Sequence, residues 1–325
     1  MIVFILLSVI LIVLTRLFSR TVSKQCDSQV CLVGKTALVT GGSAGLGYQI
    51  VLDLCKRGCR VIIADKNVNG DIKEAIIQET NNDNITMEHV DLASFKSVRQ
   101  LAERINRTEE KLDVLINNAG VLFSSNDLTE DGLNLTWQIN HFGPFLLTHL
   151  LIDLLKKSQS GRIIFTSSEM AFFNNLERFD PGKTDFMNET KNVFHYSNTK
   201  CLNIVASDIF AEKLEKHNIS SNSCHPGVVR TSIFQSSSVH CRNWADYLSL
   251  GALNFLQIFA GTGTKEGAHS SIHLAVAKEV EGISGKYFGQ CSPKRKPKLT
   301  TNKSFCERIW KLSENVVDLK VDERL

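Results

Sequence analysis

Short apolar runs alternate with longer amphipathic stretches along most of this 325-residue chain. The runs have the length of buried strands, and they predict β-structure at Lys35–Thr40, Arg60–Ala64, Ile85–Val90, Leu112–Ile116, Arg162–Thr166, Ile219–Cys224 and Lys286–Gly289. The stretches between them predict helices that end near Arg57 or cover Val68–Thr80, Ser94–Asn106, Gly132–Lys157, Tyr196–His217 and Lys265–Lys278. Strands that alternate with helices form βαβ units, so the pattern predicts an α/β fold with a doubly wound parallel sheet between two helical layers.

The N-terminus departs from this alternation. Residues Ile2–Leu14 are apolar apart from one serine, no basic residue precedes them, and no small-residue cleavage motif follows them. A secretory signal peptide normally has both features, so the pattern favours an uncleaved membrane anchor, with a signal peptide as the alternative. Arg16, Arg20 and Lys24 follow the run and, by the positive-inside rule, predict that the rest of the chain stays in the cytosol.

We therefore divide the chain into a membrane anchor (residues 1–19), a connector (20–33), one α/β domain (34–290) and a C-terminal tail (291–325). We expect the anchor to lie in the endoplasmic reticulum or at a lipid droplet. The basic segment Pro293–Lys298 is either a solvated turn or a contact with lipid headgroups. A lumenal glycoprotein is an alternative, because Asn-x-Ser/Thr sequons occur at Asn84, Asn106, Asn134, Asn188, Asn218 and Asn302.

Composition narrows the chemistry. The hydrophobic content of 43% and charged content of 22% are those of a globular protein with a large core. A net charge of +3 gives no reason to expect a nucleic-acid partner. The nine cysteines include no Cys-x-x-Cys pair and have no histidines at metal-ligand spacing, so we expect reduced thiols and no metal site.

A glycine-rich turn, Thr40–Gly47, follows the first predicted strand and opens the first helix. Glycines at such a turn let a pyrophosphate approach the backbone, and the helix N-terminus supplies free N–H groups and a partial positive charge. Its position after the opening strand indicates the dinucleotide site of a single Rossmann-type domain. The residues we assign to this site are Gly41, Ser43, Ala44, Gly45, Leu46 and Gly47.

The end of the second predicted strand bears on the choice of cofactor. Asp65 lies about 20 residues past the glycines, where an acid can bind both ribose hydroxyls of NAD and repel the 2′-phosphate of NADP. Lys66 is its neighbour and could instead pair with that phosphate. The two residues favour NAD(H), with NADP(H) as the alternative.

Two later strand ends are also predicted to contact the cofactor. Asp91 and Leu92 follow the third strand, where they can meet an adenine ring. Asn118, Ala119 and Gly120 follow the fourth strand, and their small or polar side chains suit a place where a cofactor passes close to the backbone.

Tyr196 and Lys200 are four residues apart, which places both side chains on one face of a helix. A free tyrosine titrates near pH 10, and a positive charge within a few ångströms lowers that pKa by stabilising the phenolate. The pair predicts an acid–base centre. The simpler interpretation is an amphipathic helix with one solvated lysine, and the nucleotide site upstream makes the acid–base centre the better one.

Together these motifs resemble the short-chain dehydrogenase/reductase superfamily over about Gly34–Gly289: the glycine turn reads TGGSAGLG, the fourth strand is followed by NNAG, and the helix carries YSNTK. Within the superfamily, the chain looks most like the membrane-anchored retinol dehydrogenases and related lipid or steroid dehydrogenases. That similarity depends on the apolar N-terminus, Ile139–Thr148, the turn His225–Gly227 and Gly285–Gly289.

The resemblance implies roles for individual residues. Tyr196 matches the catalytic acid–base residue, and Lys200 matches the residue that lowers its pKa and binds the nicotinamide ribose. Ser168 matches the serine that hydrogen-bonds the reacting oxygen, with Ser167 as the alternative if the register shifts by one. Asn140 matches the helix residue that holds a water in the proton relay. The segment that contacts the nicotinamide is matched by Pro226, Gly227 and Thr231.

The resemblance thus implies an NAD(P)-dependent oxidoreductase that interconverts a lipophilic alcohol (retinoid, steroid or other lipid) and its aldehyde or ketone. Aromatic and aliphatic residues within Ile233–Phe259 are consistent with an apolar lid. A catalytically idle, membrane-anchored scaffold or cofactor sensor is the alternative function. A homodimer is an option, because dimers are usual in the superfamily.

Overall fold

The computed structural model describes residues 24–122, 128–178, 193–230 and 261–325, and in them eight strands form one sheet in the order β3-β2-β1-β4-β5-β6-β7-β8. The strands are β1 (Thr36–Thr40), β2 (Arg60–Asp65), β3 (Ile85–His89), β4 (Val114–Asn117), β5 (Gly161–Thr166), β6 (Ile219–His225), β7 (Tyr287–Gly289) and β8 (Ser292–Lys294). Strands β1 to β7 pair in parallel, so the predicted Rossmann-like α/β sheet is confirmed.

The last strand corrects the expectation of an entirely parallel sheet, because β8 pairs antiparallel with β7. Gln290 and Cys291 connect the two strands, and both are in the left-handed region, with φ of 52° and 55°. A two-residue turn with both residues at positive φ has the twist that a tight hairpin needs. Gln-Cys is not a typical sequence for such a turn, so the hairpin was not predicted.

Helices cover both faces of the sheet. They are α1 (Gly45–Lys56), α2 (Gly70–Thr80), α3 (Phe95–Thr108), α4 (Gly143–Leu150), α5 (Ile152–Lys156), α6 (Val193–Lys213), α7 (Thr264–Val276) and α8 (Lys303–Val316). One hydrophobic core joins the sheet to α1, α2 and α7, and a second joins it to α3, α4, α6 and α8. These are the two helical layers that the sequence predicts.

The predicted continuous helix over Gly132–Lys157 is interrupted. A short turn at Leu135–Trp137 is followed by a π-helical segment, Gln138–Phe142, before α4 and α5 begin. Pro144 has no backbone N–H and cannot donate to the carbonyl of Asn140, which explains why the regular hydrogen-bond pattern does not continue here. Wider π-helical turns frequently occur at functional sites, and this one carries Asn140.

Part of the segment 291–325, which the sequence analysis sets apart as a tail, contributes to the core. Helix α8 buries Phe305, Ile309 and Trp310. The Trp310 ring lies edge-on to the rings of Phe145 on α4 and Phe210 on α6, with centroids 4.9 and 4.8 Å away.

Several predictions from the sequence fall outside the described residues: the membrane anchor at residues 1–19, Thr231, the lid within Ile233–Phe259 and the sequon at Asn188. Across the described ranges, none of the helices combines the length and apolarity required to cross a membrane.

Candidate active site

The glycine turn has a backbone that requires glycine. Gly41 and Gly45 have φ of +67° and +59°, in the left-handed region that side chains disfavour. A Cβ on Gly47 would lie 2.0 Å from the carbonyl oxygen of Gly41. The backbone at Gly41 therefore packs directly against the start of helix α1, and a side chain at position 47 would not fit. Ala44, the N-cap of α1, has no side chain that could accept a hydrogen bond from the first N–H groups. The turn therefore leaves these donors for an anion.

Thr40 ties this turn to the end of β4. Its hydroxyl oxygen accepts hydrogen bonds from the backbone N–H groups of Asn118 (3.0 Å) and Ala119 (3.1 Å). The Asn118 amide in turn donates to the carbonyl oxygens of Thr40 (3.0 Å) and Gly41 (3.3 Å). Asn118 therefore shapes the cofactor groove through the backbone. Thr40 opens the predicted turn Thr40–Gly47, but this role was not predicted for it, although its place directly before the glycines was a usable signal.

Asp65 and its neighbours lie at the other end of the turn. The Asp65 carboxylate accepts hydrogen bonds from the backbone N–H groups of Ser43 (3.1 Å) and Asn67 (3.2 Å). The Lys66 ammonium pairs with the Asp91 carboxylate at 2.7 Å. Burial opposes ionisation of Asp91, but the hydrogen bond from Lys66 and other contacts outweigh it and lower the pKa of Asp91. Lys66 is thus already neutralised by an acid of this chain.

Leu92 is buried beside the helix that carries the π-helical segment. A Cβ on Gly143 would lie 2.8 Å from the Leu92 carbonyl oxygen. This close approach fixes the loop after β3 against the start of α4.

Tyr196, on α6, is hydrogen-bonded to Ser168 and is partly exposed to the cavity that it lines. Burial raises the pKa of the Tyr196 phenol, and the hydrogen bond from Ser168 only partly offsets this effect. The sequence analysis expected Lys200 to lower this pKa, and the structure shows a net rise. The reason is that desolvation of the phenolate dominates in a site this deep.

Lys200 lies beside the tyrosine, with its Nζ 5.5 Å from the centroid of the Tyr196 ring. The ammonium donates a hydrogen bond to the carbonyl oxygen of Thr166 at 2.9 Å. Burial lowers the pKa of Lys200 to about 8. Its charge is therefore costly in this environment and sensitive to alkaline pH.

The two adjacent serines have different contacts. The Ser167 hydroxyl donates to the carbonyl oxygen of Lys200 at 2.7 Å and is buried. The Ser168 hydroxyl caps the short 3₁₀ turn Glu169–Phe173 by accepting from the N–H of Met170 at 3.1 Å. Only Ser168 of the pair is hydrogen-bonded to Tyr196. The geometry thus favours Ser168 over the alternative register.

A pair of asparagines fastens the loop after Ser168 to α6. The Asn198 amide group donates to the side-chain oxygen of Asn175 at 2.8 Å and accepts from its backbone N–H at 3.0 Å. This contact fixes the distance between the serine loop and the tyrosine helix. The sequence analysis did not identify it, because the partners are remote in sequence and asparagine is common in loops.

Asn140 is completely buried behind Gly120. Its Oδ1 accepts from the N–H of Val121 at 2.8 Å, and its Nδ2 donates to the carbonyl oxygen of Val121 at 2.9 Å and to Thr199 Oγ1 at 3.2 Å. A Cβ on Gly120 would lie 3.1 Å from Lys200 Nζ and 3.2 Å from Asn140 Oδ1. A side chain at position 120 would therefore press on the polar ends of both Asn140 and Lys200, which would have to shift by a few tenths of an ångström.

Residues from the glycine turn, the serine loop and helix α6 line one cavity of about 270 Å³ at the carboxyl ends of the central strands. Predicted residues that line it are Leu46, Asn118, Gly120, Ser168, Tyr196, Lys200, Pro226 and Gly227. Lining residues that were not predicted from the sequence are Leu122, Thr166, Glu169, Met170, Val228 and Val229. Phe173, from the Phe-rich stretch after Ser168 that the sequence predicts to form the substrate entrance, and Ser167, the alternative for Ser168, also line it. Asp65, Lys66, Asp91 and Leu92 do not line it, as expected for residues at the adenosine end of an extended cofactor.

In the described part of the chain, no group of three or more His, Cys, Asp or Glu side chains could hold a metal ion. A glycine turn at a helix N-terminus beside a Ser, a Tyr and a Lys is typical of a dinucleotide-dependent oxidoreductase.

Comparison with known proteins supports the same class of enzyme. The short chain dehydrogenase family profile matches residues 35–179. The chain is 33% identical to mouse retinol dehydrogenase 14 over 298 residues, covering 88% of this chain and 86% of that protein. It is also 33% identical to human retinol dehydrogenase 13 over 297 residues, covering 91% and 88%. A short chain dehydrogenase from Escherichia coli CFT073, solved with NADPH, has the same fold, with a TM-score of 0.60, 22% identity and coverage of 81% and 99%.

The chain therefore belongs to the short-chain dehydrogenase family, and it is an NAD(P)-dependent oxidoreductase that acts on CH–OH groups.

Proposed function

We propose that the protein interconverts a lipophilic alcohol, such as a retinoid, steroid or other lipid, and its aldehyde or ketone. The observation that carries this proposal is the meeting of Ser168, Tyr196 and Lys200 at one largely apolar cavity. Helix α6 supplies the tyrosine and lysine, and the end of β5 supplies the serine.

The proposed chemistry is reversible hydride transfer, for which the bound nicotinamide supplies the hydride acceptor or donor. In oxidation, the Tyr196 phenolate takes the hydroxyl proton of the alcohol; in reduction, the Tyr196 phenol returns it. Ser168, which is already hydrogen-bonded to the phenol, holds the substrate oxygen beside it. Acid–base catalysis of this kind typically contributes about 10²–10⁴-fold in rate.

Lys200 and Asn140 complete the proposed centre. The Lys200 ammonium favours the phenolate electrostatically and binds the nicotinamide ribose. Asn140 is proposed to act in the proton relay, and its hydrogen bonds to Val121 also fix the cavity wall at Gly120. Lys200 is close enough to this wall that a Cβ on Gly120 would crowd its ammonium.

The residues present fit a dinucleotide. The close approach of Gly41 and Gly47 gives a groove that side chains would fill, and the uncapped N-terminus of α1 offers N–H groups to a pyrophosphate. The groove's other proposed contacts are Ser43, Gly45, Leu46, Asn118, Ala119, Gly120, Pro226, Gly227 and Thr231, and at the adenosine end Asp65, Lys66, Asp91 and Leu92.

We propose NAD(H) as the favoured cofactor. Asp65 is held at the turn by Ser43, where its charge would repel a 2′-phosphate. Lys66 could attract that phosphate, but it is paired with Asp91. NADP(H) is the alternative, and it requires Lys66 to leave this ion pair.

A lipophilic substrate is supported by the cavity and by the relatives. Seven lining side chains are apolar: Leu46, Leu122, Met170, Phe173, Pro226, Val228 and Val229. The two mammalian proteins compared above are named retinol dehydrogenases. The test is a comparison of purified activity on all-trans-retinol, a hydroxysteroid and a short polar alcohol, each with NAD and NADP. We expect the highest kcat/KM on a lipid alcohol, and a preference for the polar alcohol would refute the proposal.

We also propose that residues 1–19 anchor the domain on the cytosolic side of the endoplasmic reticulum or of a lipid droplet, with a homodimer as an option. Protease added to intact microsomes should digest the domain. A shift in mobility after endoglycosidase treatment would instead support the lumenal alternative.

A further inference from the structure

We propose that the mouth of the cavity docks on an anionic lipid bilayer. The docking surface, called here the mouth surface, consists of Phe172, Phe173, Val228, Lys294 and Arg295. The inference deepens the proposed function and depends on its lipophilic substrate.

The apolar part of the mouth surface is exposed next to the cavity. Phe172, Phe173 and Val228 are 46%, 65% and 44% exposed. Phe173 and Val228 also line the cavity, which places them at its opening. Large apolar side chains that are exposed together mark an interaction site, and aromatic rings partition well into the headgroup region of a bilayer.

The basic part lies beside it on β8. The rings of Phe172 and Tyr287 have centroids 6.4 Å apart, and Tyr287 pairs directly with Lys294 across the β7–β8 hairpin. Phe172 and Lys294 therefore both adjoin Tyr287, and both Lys294 and the following Arg295 are exposed. Of the two interpretations of Pro293–Lys298, the solvated turn is wrong for the first two residues, because Pro293 and Lys294 belong to strand β8.

The positive charge of the mouth surface favours an anionic bilayer as the surface that it contacts. Exposed Lys294, which pairs with Tyr287, and the exposed Arg295 that follows it suit a bilayer with negatively charged headgroups, because basic residues near such a surface are attracted to it. Glu169 lines the cavity and opposes them with one negative charge. Its Oε1 lies 3.6 Å from Nδ1 of His225, and the cations outnumber it.

The position of the first described residue also supports docking of this edge of the sheet on a bilayer. Lys24 is the first described residue, and its carbonyl oxygen lies 3.6 Å from Sγ of Cys291, in the β7–β8 turn. Strand β7 runs parallel to β6, so this turn lies at the carboxyl edge of the sheet, as the cavity does. The described chain therefore begins at the turn that leads into β8, the strand that carries Lys294.

A bilayer in this position would let a lipophilic alcohol enter the cavity without crossing water. The mouth surface would then govern the KM for a membrane-borne substrate, while the chemistry at Tyr196 would not depend on it.

Hydrogen exchange on the full-length protein tests the docking without requiring turnover. We expect peptides that contain Phe172 and Lys294 to exchange more slowly on phosphatidylcholine vesicles that contain phosphatidylserine than on vesicles of phosphatidylcholine alone. The double variant Lys294→Glu/Arg295→Glu should lose this difference. A matched control, Lys96→Glu/Lys311→Glu, changes the charge equally at exposed positions on α3 and α8 and should keep it.

Kinetics supply the second measurement. The Lys294→Glu/Arg295→Glu variant should raise the KM for vesicle-borne retinol by at least about fivefold for each cation lost. Its kcat/KM for a short water-soluble alcohol should stay unchanged. Phe172→Ser should raise the same KM, whereas Val68→Ser, which alters an apolar side chain that is 50% exposed elsewhere, should not.

The outcomes separate the two proposals. Exchange that is equal on both kinds of vesicle, or an equal change of KM in the control variants, would overturn the docking surface. Slowed exchange at the mouth surface without oxidation of any lipid alcohol would leave the docking supported and would refute the proposed substrate.

Discussion

The hydroxyl of Ser168 is hydrogen-bonded to the phenol of Tyr196, and it joins the end of a central strand to the helix that carries the proposed acid–base residue. The preceding residue, Ser167, bonds the backbone of that helix at Lys200 instead. The two adjacent serines thus have different contacts, and the role proposed for Ser168 at the reacting oxygen is separable from the packing contact of Ser167.

Replacement of the two serines should give different results. Ser168→Ala should lower kcat by about 10²–10³-fold, because it removes a hydrogen bond to the reacting oxygen, with little loss of stability. Ser167→Ala should lower the free energy of unfolding by about 1 kcal/mol or more, because the buried Lys200 carbonyl loses a donor, and should retain much of kcat. Steady-state kinetics and urea unfolding of both variants measure this. The opposite pattern would assign the catalytic role to Ser167.

Cofactor binding should weaken at alkaline pH. Burial lowers the pKa of Lys200 from 10.5 to about 8, so its positive charge is present below about pH 8 and is lost above it. If this charge binds the cofactor ribose, the Kd for NADH should rise as the pH increases through about 8. Lys200→Arg keeps its charge at high pH and should remove this step. A fluorescence titration over about pH 6–10 measures both proteins, and a step shared by both would point to a different group.

The Lys66–Asp91 ion pair should influence the choice between the two cofactors. Asp91→Asn frees the Lys66 ammonium, which can then pair with a 2′-phosphate. We expect the ratio of Kd for NADH to Kd for NADPH to rise by roughly fivefold to tenfold, as one screened charge pair allows. Asp71→Asn, at an exposed acid on α2, is the matched control. An unchanged ratio in Asp91→Asn would show that Lys66 does not reach the phosphate.

The C-terminal helix should be necessary for stability. Trp310→Ala removes a buried ring that packs against Phe145 and Phe210, and such truncations cost about 3–5 kcal/mol. Its neighbour Lys311 is exposed, so Lys311→Ala should change stability by no more than about 0.5 kcal/mol. Denaturant midpoints measure both. Equal midpoints would mean that α8 does not belong to the cooperative unit.

The sequence predicted the strands and the glycine turn well because their signals are local. Apolar runs mark β1 to β7, and the left-handed backbone at Gly41 and Gly45 can be anticipated from glycine itself. The hairpin at Gln290–Cys291 was missed because its backbone is left-handed without the usual turn residues. Contacts between segments that are remote in the chain also could not be predicted from a single sequence.

Prediction of the active site was limited in the same way to features that have a local sequence signal. The spacing of Tyr196 and Lys200 indicated a shared helix face, but it could not give the net effect of burial on the phenol, which depends on everything packed around it. Glu169 lines the cavity, and nothing in its local sequence distinguishes it from an ordinary loop residue. The hydrogen bonds of Asn140 to Val121 depend on a π-helical turn, which has no simple sequence signal.

The most direct test of the central claim is the turnover of Tyr196→Phe together with its affinity for NADH. The substitution removes the hydroxyl and leaves the ring in place. We expect kcat for the alcohol to fall by about 10²–10⁴-fold, while the Kd for NADH stays near that of the wild type. Turnover at the wild-type rate would contradict the assignment of Tyr196 as the acid–base residue.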